Sequence, residues 1–373
     1  MKHYKYGLLV YDTENIGDEI QSIAARRFLP SIDYYINRDH IDDTKIQKGD
    51  CVKVILNSWY MAKPYNWPPT NDNIYPLLIS MYVERHNKDN LTDKAFLSPK
   101  SRAFIEKYGP FGARDTGTQA FLSDHGIQSY FSGCLTLTLL PDESIDRKDF
   151  ILAVDVSDSI ITKIKNSTNR RIIKLNTERY TKLNYDEKMR IAEFWLSLYQ
   201  SAHCVVTSRL HSMLPCLAFN TPVFAIEKND LRRFGGLIEL TNHYSEESFL
   251  KNKLNFEKPP QNPESFCAIR DDLIRHCKDF TGYDSEQSYL NGRNYNELIT
   301  DSDFLSGINK IAEMSYVLEK TRNADIENID RLEKLVTELS RKNEELEFKM
   351  NNPGIKKCIQ LTFNAIKRRL EKH

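Results

Sequence analysis

One stretch constrains the fold more than any other: Val205-Val206-Thr207-Ser208-Arg209-Leu210-His211-Ser212-Met213-Leu214-Pro215-Cys216-Leu217-Ala218-Phe219-Asn220-Thr221-Pro222-Val223-Phe224-Ala225-Ile226. It reads as a buried strand, a polar pivot, a short apolar helix, an Asn-Thr-Pro stop and a second buried strand. That order is the repeating unit of an open α/β sheet, whose ligands sit beyond the carboxyl ends of its strands. Arg209 and His211 therefore fall on the first turn of a helix, where backbone N–H groups favour an anion. An arginine there opposes the helix dipole, so packing alone gives little reason for it. A surface arginine beside a locally hydrogen-bonded histidine is the competing reading of an isolated Arg-x-His.

Two upstream segments belong with this one. A Tyr- and Leu-rich strand over about residues 4–11 leads into Asn15-Ile16-Gly17-Asp18-Glu19-Ile20-Gln21-Ser22 and a helix over about 18–29. Strand, glycine loop and helix can cradle an anion, but one glycine is far from a dinucleotide fingerprint. Asp18 also reads as a plain N-cap, and Asn15 and Gly17 as turn formers. Further on, a helix over about 99–108 precedes Gly112-Ala113-Arg114-Asp115-Thr116, then Gly126-Ile127 and Gly133-Cys134-Leu135-Thr136-Leu137. Asp115 suits a helix N-cap, Arg114 sits at a strand's carboxyl end, and residues 135–140 read as an apolar strand.

In this order the three segments resemble the polysaccharide pyruvyl transferase family, over roughly residues 5–240. The resemblance implies transfer of pyruvate from phosphoenolpyruvate to a sugar of a surface polysaccharide or its lipid-linked precursor, closing a cyclic ketal across two hydroxyls. It also implies a fold like that of the GT-B glycosyltransferases. Arg209 and Arg114 then offer planar forks to the donor's phosphate and carboxylate, with Ser208, Leu210, Asn15 and Gly17 completing the substrate site. His211 is the candidate general acid for the enol carbon. Its helix-end position should lower its pKa and a bound dianion should raise it. Asp18 is the candidate base for the attacking hydroxyls. The scheme needs no metal, and its donor is a substrate rather than a cofactor. Two other functions compete: a glycosyltransferase of the same architecture using a nucleotide sugar, and a non-catalytic coiled-coil partner protein.

Composition narrows the field. The 52 basic and 52 acidic residues cancel, so no global field favours nucleic acid. No run approaches the roughly 18 apolar residues of a membrane span, and the opening residues lack the order of a signal peptide. The seven cysteines include no Cys-x-x-Cys, and several lie in apolar runs. A reducing, cytoplasmic setting without disulfides is expected. Histidine and cysteine spacings offer no zinc site.

The expected architecture is α/β, with two doubly wound, Rossmann-like domains over residues 1–145 and 146–322 facing a cleft. The first is expected on the acceptor side and the second on the donor side. The second contains strands over about 150–155 and 171–175, a helix over about 185–200, and a basic glycine-ended loop at 227–236 that could add anion contacts or simply be solvated. Trp59, Tyr60, Tyr65 and Trp67 lie among three prolines and suit either a sugar platform or a packed loop. From residue 323 to 352, Ile329, Leu332, Val336, Leu339, Asn343, Leu346 and Met350 form a heptad seam, which predicts a parallel homodimer. Residues 353–373 are basic and amphipathic, with Ile355, Ile359, Phe363, Ile366 and Leu370 on one side, and suit reversible contact with the anionic inner face of the cytoplasmic membrane.

Overall fold

The structure, a computed structural model, describes residues 4–61, 66–85, 91–177, 183–227 and 233–290, together with Tyr295 and five isolated residues between 331 and 341. The large described segments belong to one compact unit, Met1–Ala312. It is mixed α/β, built on two parallel sheets.

The amino-terminal half runs through β1 (Tyr4–Val10), α1 (Ile16–Arg26), β2 (Tyr34–Asn37), β3 (Cys51–Ile55), β4 (Trp59–Tyr60), β5 (Ile74–Leu77), β6 (Tyr82–Val83), α2 (Leu91–Phe96), α3 (Pro99–Tyr108), β7 (Phe111–Ala113), α4 (Thr116–Asp124) and β8 (Ser129–Phe131). Four of these strands form a parallel sheet in the order β2-β1-β3-β5, and β4-β6 and β7-β8 are short parallel pairs. The strand order reverses between β1 and β3, so the loops after these two strands frame a crevice.

The second half contains β9 (Phe150–Val154), α5 (Asp158–Lys165), β10 (Arg171–Leu175), α6 (Tyr185–Ser201), β11 (Cys204–Thr207), α7 (Leu210–Ala218), β12 (Val223–Ile226), β13 (Asn242–Tyr244), α8 (Glu246–Lys251) and α9 (Cys267–Thr281). Its sheet has the order β10-β9-β11-β12-β13, all parallel. Every residue of β9, β11 and β12 is buried, as expected of parallel strands covered on both faces. The order reverses between β9 and β11, and the loops after them carry Asp155 and Ser208-Arg209.

Local chemistry fixes the helix starts. Asp115 caps α4 by accepting from Thr118 N at 2.8 Å, as its position suggested. Asn184 and Glu187 close a reciprocal capping box on α6, satisfying two otherwise orphaned N–H groups. The start of α1 differs from expectation: Asn15, not Asp18, is its N-cap, accepting from Gly17 N at 2.9 Å. The largest core cluster is continuous across the two sheets, from Leu8 and Ile20 through Leu137 to Leu198 and Met213. Two further clusters cover the outer faces, one around Val54, Phe96 and Phe111 and one around Ile160, Phe224 and Phe249.

Residues 135–140 are not a strand. Leu135–Thr138 form a 3-10 turn in which every residue is fully buried. The Leu-Thr alternation imitates a strand's period of two, but the threonine hydroxyls bond locally. Thr138 Oγ1 donates to Leu135 O at 2.8 Å and Thr136 Oγ1 to Cys134 Sγ at 3.2 Å. Such local bonds compete with ladder pairing.

The aromatic loop is largely core. Trp67 stacks on Phe96 at 5.4 Å and 15°, and its Nε1 donates to Ser101 Oγ at 2.8 Å. Tyr60 packs beside it at 5.3 Å, while Tyr65 lies outside the described residues. The six described cysteines are free. No helix among the described residues is long and apolar enough to cross a membrane. The second compact unit, Glu313–His373, contributes the five isolated residues, all helical and exposed. The heptad positions and the amphipathic segment 353–373 lie outside the described residues.

Candidate functional site

At the carboxyl end of β11 the chain turns through Ser208 and Arg209 into α7. Arg209 occupies the N-cap with extended backbone, and no side chain caps the helix. Thr207 Oγ1 accepts from Arg209 N at 3.0 Å and Ser208 Oγ donates to Asp155 O at 2.6 Å, locking the turn onto the neighbouring strand. The first N–H groups of α7 thus open towards a cavity of about 180 Å³.

Asp155, directly after β9, organises the cationic wall. Its Oδ2 accepts from Arg209 Nε at 2.8 Å, from Thr177 N at 3.1 Å and from Thr177 Oγ1 at 2.6 Å. It does so from a left-handed backbone, φ +51°, which aspartate tolerates better than most residues. Thr177 O in turn accepts from Ile16 N at 3.1 Å. One hydrogen-bonded chain therefore joins the α1 loop, Thr177, Asp155 and Arg209.

His211 is half-buried, but its Nε2 is shielded from solvent and has no hydrogen-bond partner. Gly17 lies against its ring: a β-carbon at Gly17 would stand 2.6 Å from Nδ1. Burial, then the charges of Arg114 and Arg233, push the imidazole well below its ordinary 6.5. The lowering expected of a helix N-terminus is present, but its causes are desolvation and two arginines.

Arg114 enters from the end of β7, its backbone N bonded to Met81 O at 2.9 Å. The side chain is 1% exposed, and its guanidinium lies over the Tyr82 ring at 4.6 Å. Asp115 is 4.0 Å away, and Nε and Nη2 make no hydrogen bond. A desolvated guanidinium with free donors is poised to bind an anion. Burial lowers its pKa without discharging it. Arg233, whose loop could equally have been solvated, also lines the cavity and lies over Tyr82 at 5.2 Å and Trp59 at 5.5 Å.

The cavity thus unites Asn15, Gly17, Arg114, Ser208, Arg209, Leu210 and His211. Of the sequence candidates, Asp18 alone does not line it. The Asp18 carboxylate is 5% exposed and accepts from Thr13 Oγ1 and from Gln21 Nε2 at 3.3 Å, with Arg38 Nη1 at 3.9 Å. Both halves of the chain contribute to the wall. Three arginines and a histidine face the cavity and no carboxylate lines it, which makes it an anion site. Asp155, Thr177 and Arg233 were not singled out from sequence. Asp155 ends a buried strand at the position that held the signal, the residue immediately beyond a strand's carboxyl end. No group of three or more potential metal ligands occurs among the described residues.

Residues 89–229 match the family model for polysaccharide pyruvyl transferase, as the motifs indicated. The matched segment contains Arg114 and Ser208 to His211 and stops short of Asn15 and Gly17. No curated protein matches the chain. Among solved structures, the UDP-GlcNAc 2-epimerase of Methanocaldococcus jannaschii, crystallised with UDP-GlcNAc and UDP, is 10% identical with a TM-score of 0.33. The match covers 84% of this chain and 99% of that one. A second structure of the same enzyme gives the same values.

Proposed function

We propose that the chain transfers pyruvate from phosphoenolpyruvate to two hydroxyls of a sugar in a surface polysaccharide or its lipid-linked precursor. The observation that carries this is the convergence of Arg114, Arg209, Arg233 and His211 on one small, carboxylate-free cavity within reach of the matched segment. Its volume of about 180 Å³ suits a three-carbon phosphorylated acid. A nucleotide sugar needs a pocket nearer the roughly 300–1,000 Å³ of larger ligands, which ranks the glycosyltransferase reading second.

In this reading the arginines hold the donor's phosphate and carboxylate in bidentate contacts. His211 is neutral in the free protein because burial and two cations disfavour its charged form. The dianion reverses that balance, so His211 becomes protonated when the donor arrives. It then gives its proton to the methylene carbon, leaving an oxocarbenium centre at the carbon bearing phosphate. One sugar hydroxyl adds there, phosphate leaves, and the second hydroxyl closes the ketal. One hydroxyl proton returns to His211 and the other departs on phosphate. Asp18, beyond the cavity wall, supports Arg38 in this scheme and is the weaker candidate for proton removal.

The two parallel sheets serve in this proposal as Rossmann-like halves in a GT-B arrangement, residues 1–145 facing the acceptor and 146–322 supplying most of the donor site. Residues 323–352 pair two chains, and residues 353–373 rest on an anionic membrane at the cytoplasmic face. Their sequence periodicity and charge support this. Calorimetric titration with phosphoenolpyruvate and with nucleotide sugars tests the donor. Binding of phosphoenolpyruvate with proton uptake near neutral pH, lost in His211→Gln, is the expected result. Preferential binding of a nucleotide sugar would overturn the proposal.

A further inference from the structure

A second set of polar groups, outside the anion cavity, is unused by this chemistry. It lies at the carboxyl end of β3, on the edge where the first sheet's strand order reverses. Asn57, Trp59 and Tyr60 come from the segment after β3, and Arg38 comes from the end of β2. The Arg38 guanidinium lies 5.5 Å from the Trp59 ring and 5.2 Å from the Tyr11 ring. Asn57 is 1%, Arg38 2% and Tyr60 4% exposed. Even so, Asn57 Oδ1, Arg38 Nη1, Trp59 Nε1 and the Tyr60 hydroxyl are all buried without a hydrogen-bond partner. Native interiors leave few such atoms, and four gathered at one sheet edge call for a hydrogen-bonding occupant.

Charge identifies the class of occupant. Arg38 donates to Asp39 through Nε at 3.2 Å and through Nη2 at 2.8 Å, and Asp18 stands 3.9 Å from Nη1. Two carboxylates therefore balance the guanidinium, in contrast to the uncompensated arginines of the neighbouring cavity. What remains is three donors, one amide acceptor and an indole face. That mixture matches the hydroxyls and the apolar ring face of an uncharged sugar. Trp59 also joins the two places: Arg38 approaches its ring at 5.5 Å and Arg233, from the wall of the anion cavity, approaches it at 5.5 Å.

We infer that Arg38, Asn57, Trp59 and Tyr60 form a subsite for the ring of an uncharged saccharide beside the anion cavity. The identity of that saccharide as acceptor rests on the pyruvyl transfer reading; its binding does not. The test is saturation-transfer NMR of the full chain, without donor, against methyl glycosides of the common hexoses, N-acetylhexosamines and uronic acids. Neutral glycosides should bind. Tyr60→Phe and Trp59→Phe each remove one unpartnered donor and keep the ring, so each should weaken binding by up to about tenfold. Their melting temperatures should be unchanged or higher, because an unmet buried group has been removed. Phosphoenolpyruvate affinity, measured separately by calorimetry, should not change. Binding of no glycoside, binding of uronic acids alone, or parental binding by both variants would overturn the inference. Glycoside binding that depends on Tyr60, in a chain that does not bind phosphoenolpyruvate, would uphold the subsite and sink the transfer reading.

Discussion

Substituting Gly17 by alanine separates stability from function at one atom. Gly17 lies in the first turn of α1, where alanine is intrinsically better than glycine by up to about 1 kcal/mol. The helix itself should therefore not weaken. The new β-carbon, however, would stand 2.6 Å from His211 Nδ1, 3.1 Å from His211 Cβ and 3.1 Å from Asn15 Oδ1, whereas ordinary contact begins at 3.4 Å. The shortfall at Nδ1 is about 0.8 Å. Gly17 cannot easily retreat, because its N–H is held by Asn15 and the preceding N–H of Ile16 by Thr177 O. The imidazole must move instead. A displacement near 1 Å of a catalytic group costs on the order of 10²-fold in rate. Thermal melts should show a midpoint equal to or above the parent's, while kcat for phosphate release from phosphoenolpyruvate falls about 10²-fold. Turnover within a few fold of the parent would refute the idea that this contact sets the position of His211.

The remaining predictions concern His211, Asp155, Trp67 and the carboxyl-terminal segment. The folded chain holds His211 well below 6.5, so below that pH the unfolded chain binds more protons and stability falls with decreasing pH down to the depressed folded value. Denaturant midpoints across this window should fall less steeply for His211→Gln than for the parent, and identical slopes would count against a buried neutral imidazole. Asp155→Asn, which tolerates the left-handed backbone, should keep the fold but weaken phosphoenolpyruvate binding by calorimetry. Asp155→Ala should add a strain of about 1–2 kcal/mol in denaturant melts. Trp67→Ala should cost about 3–5 kcal/mol by chemical denaturation; a small loss with impaired saccharide binding would return the ring to the role of sugar platform. A chain ending before Asn323 should sediment as a monomer and no longer float with anionic vesicles, and a surviving dimer would contradict the heptad proposal.

Periodicity made the scaffold readable and local polar chemistry limited it. The all-apolar strands β9, β11 and β12 and the pivot between β11 and α7 follow directly from the buried run around Ser208 to His211. Edge strands were harder. β5 carries Pro76, which edge strands accept but which breaks the pattern, and β13 is Asn-His-Tyr with no apolar signal. At 135–140 the period of two was real, but threonine hydroxyls satisfied the backbone locally. In the site, Arg209, His211 and Arg114 stood out because each is costly to place without a ligand. Asp155 and Arg233 did not, since their meaning comes from partners distant in sequence: Arg209 and Thr177 for one, Trp59 and Tyr82 for the other. Asp18 shows the reverse. Its position in the glycine loop suggested catalysis, whereas its side chain turns away from the cavity to Thr13, Gln21 and Arg38.

The central claim is that His211 and the three arginines carry pyruvyl transfer. Its most direct test follows phosphate release from phosphoenolpyruvate together with the mass of the saccharide product, for the parent chain and for His211→Ala. The account predicts one phosphate released per ketal formed, with both falling by on the order of 10²–10⁴-fold in the variant while its melting curve stays close to the parent's. Ketal formation at the parental rate in folded His211→Ala, or phosphate release without any ketal across the acceptors that bind, would contradict it.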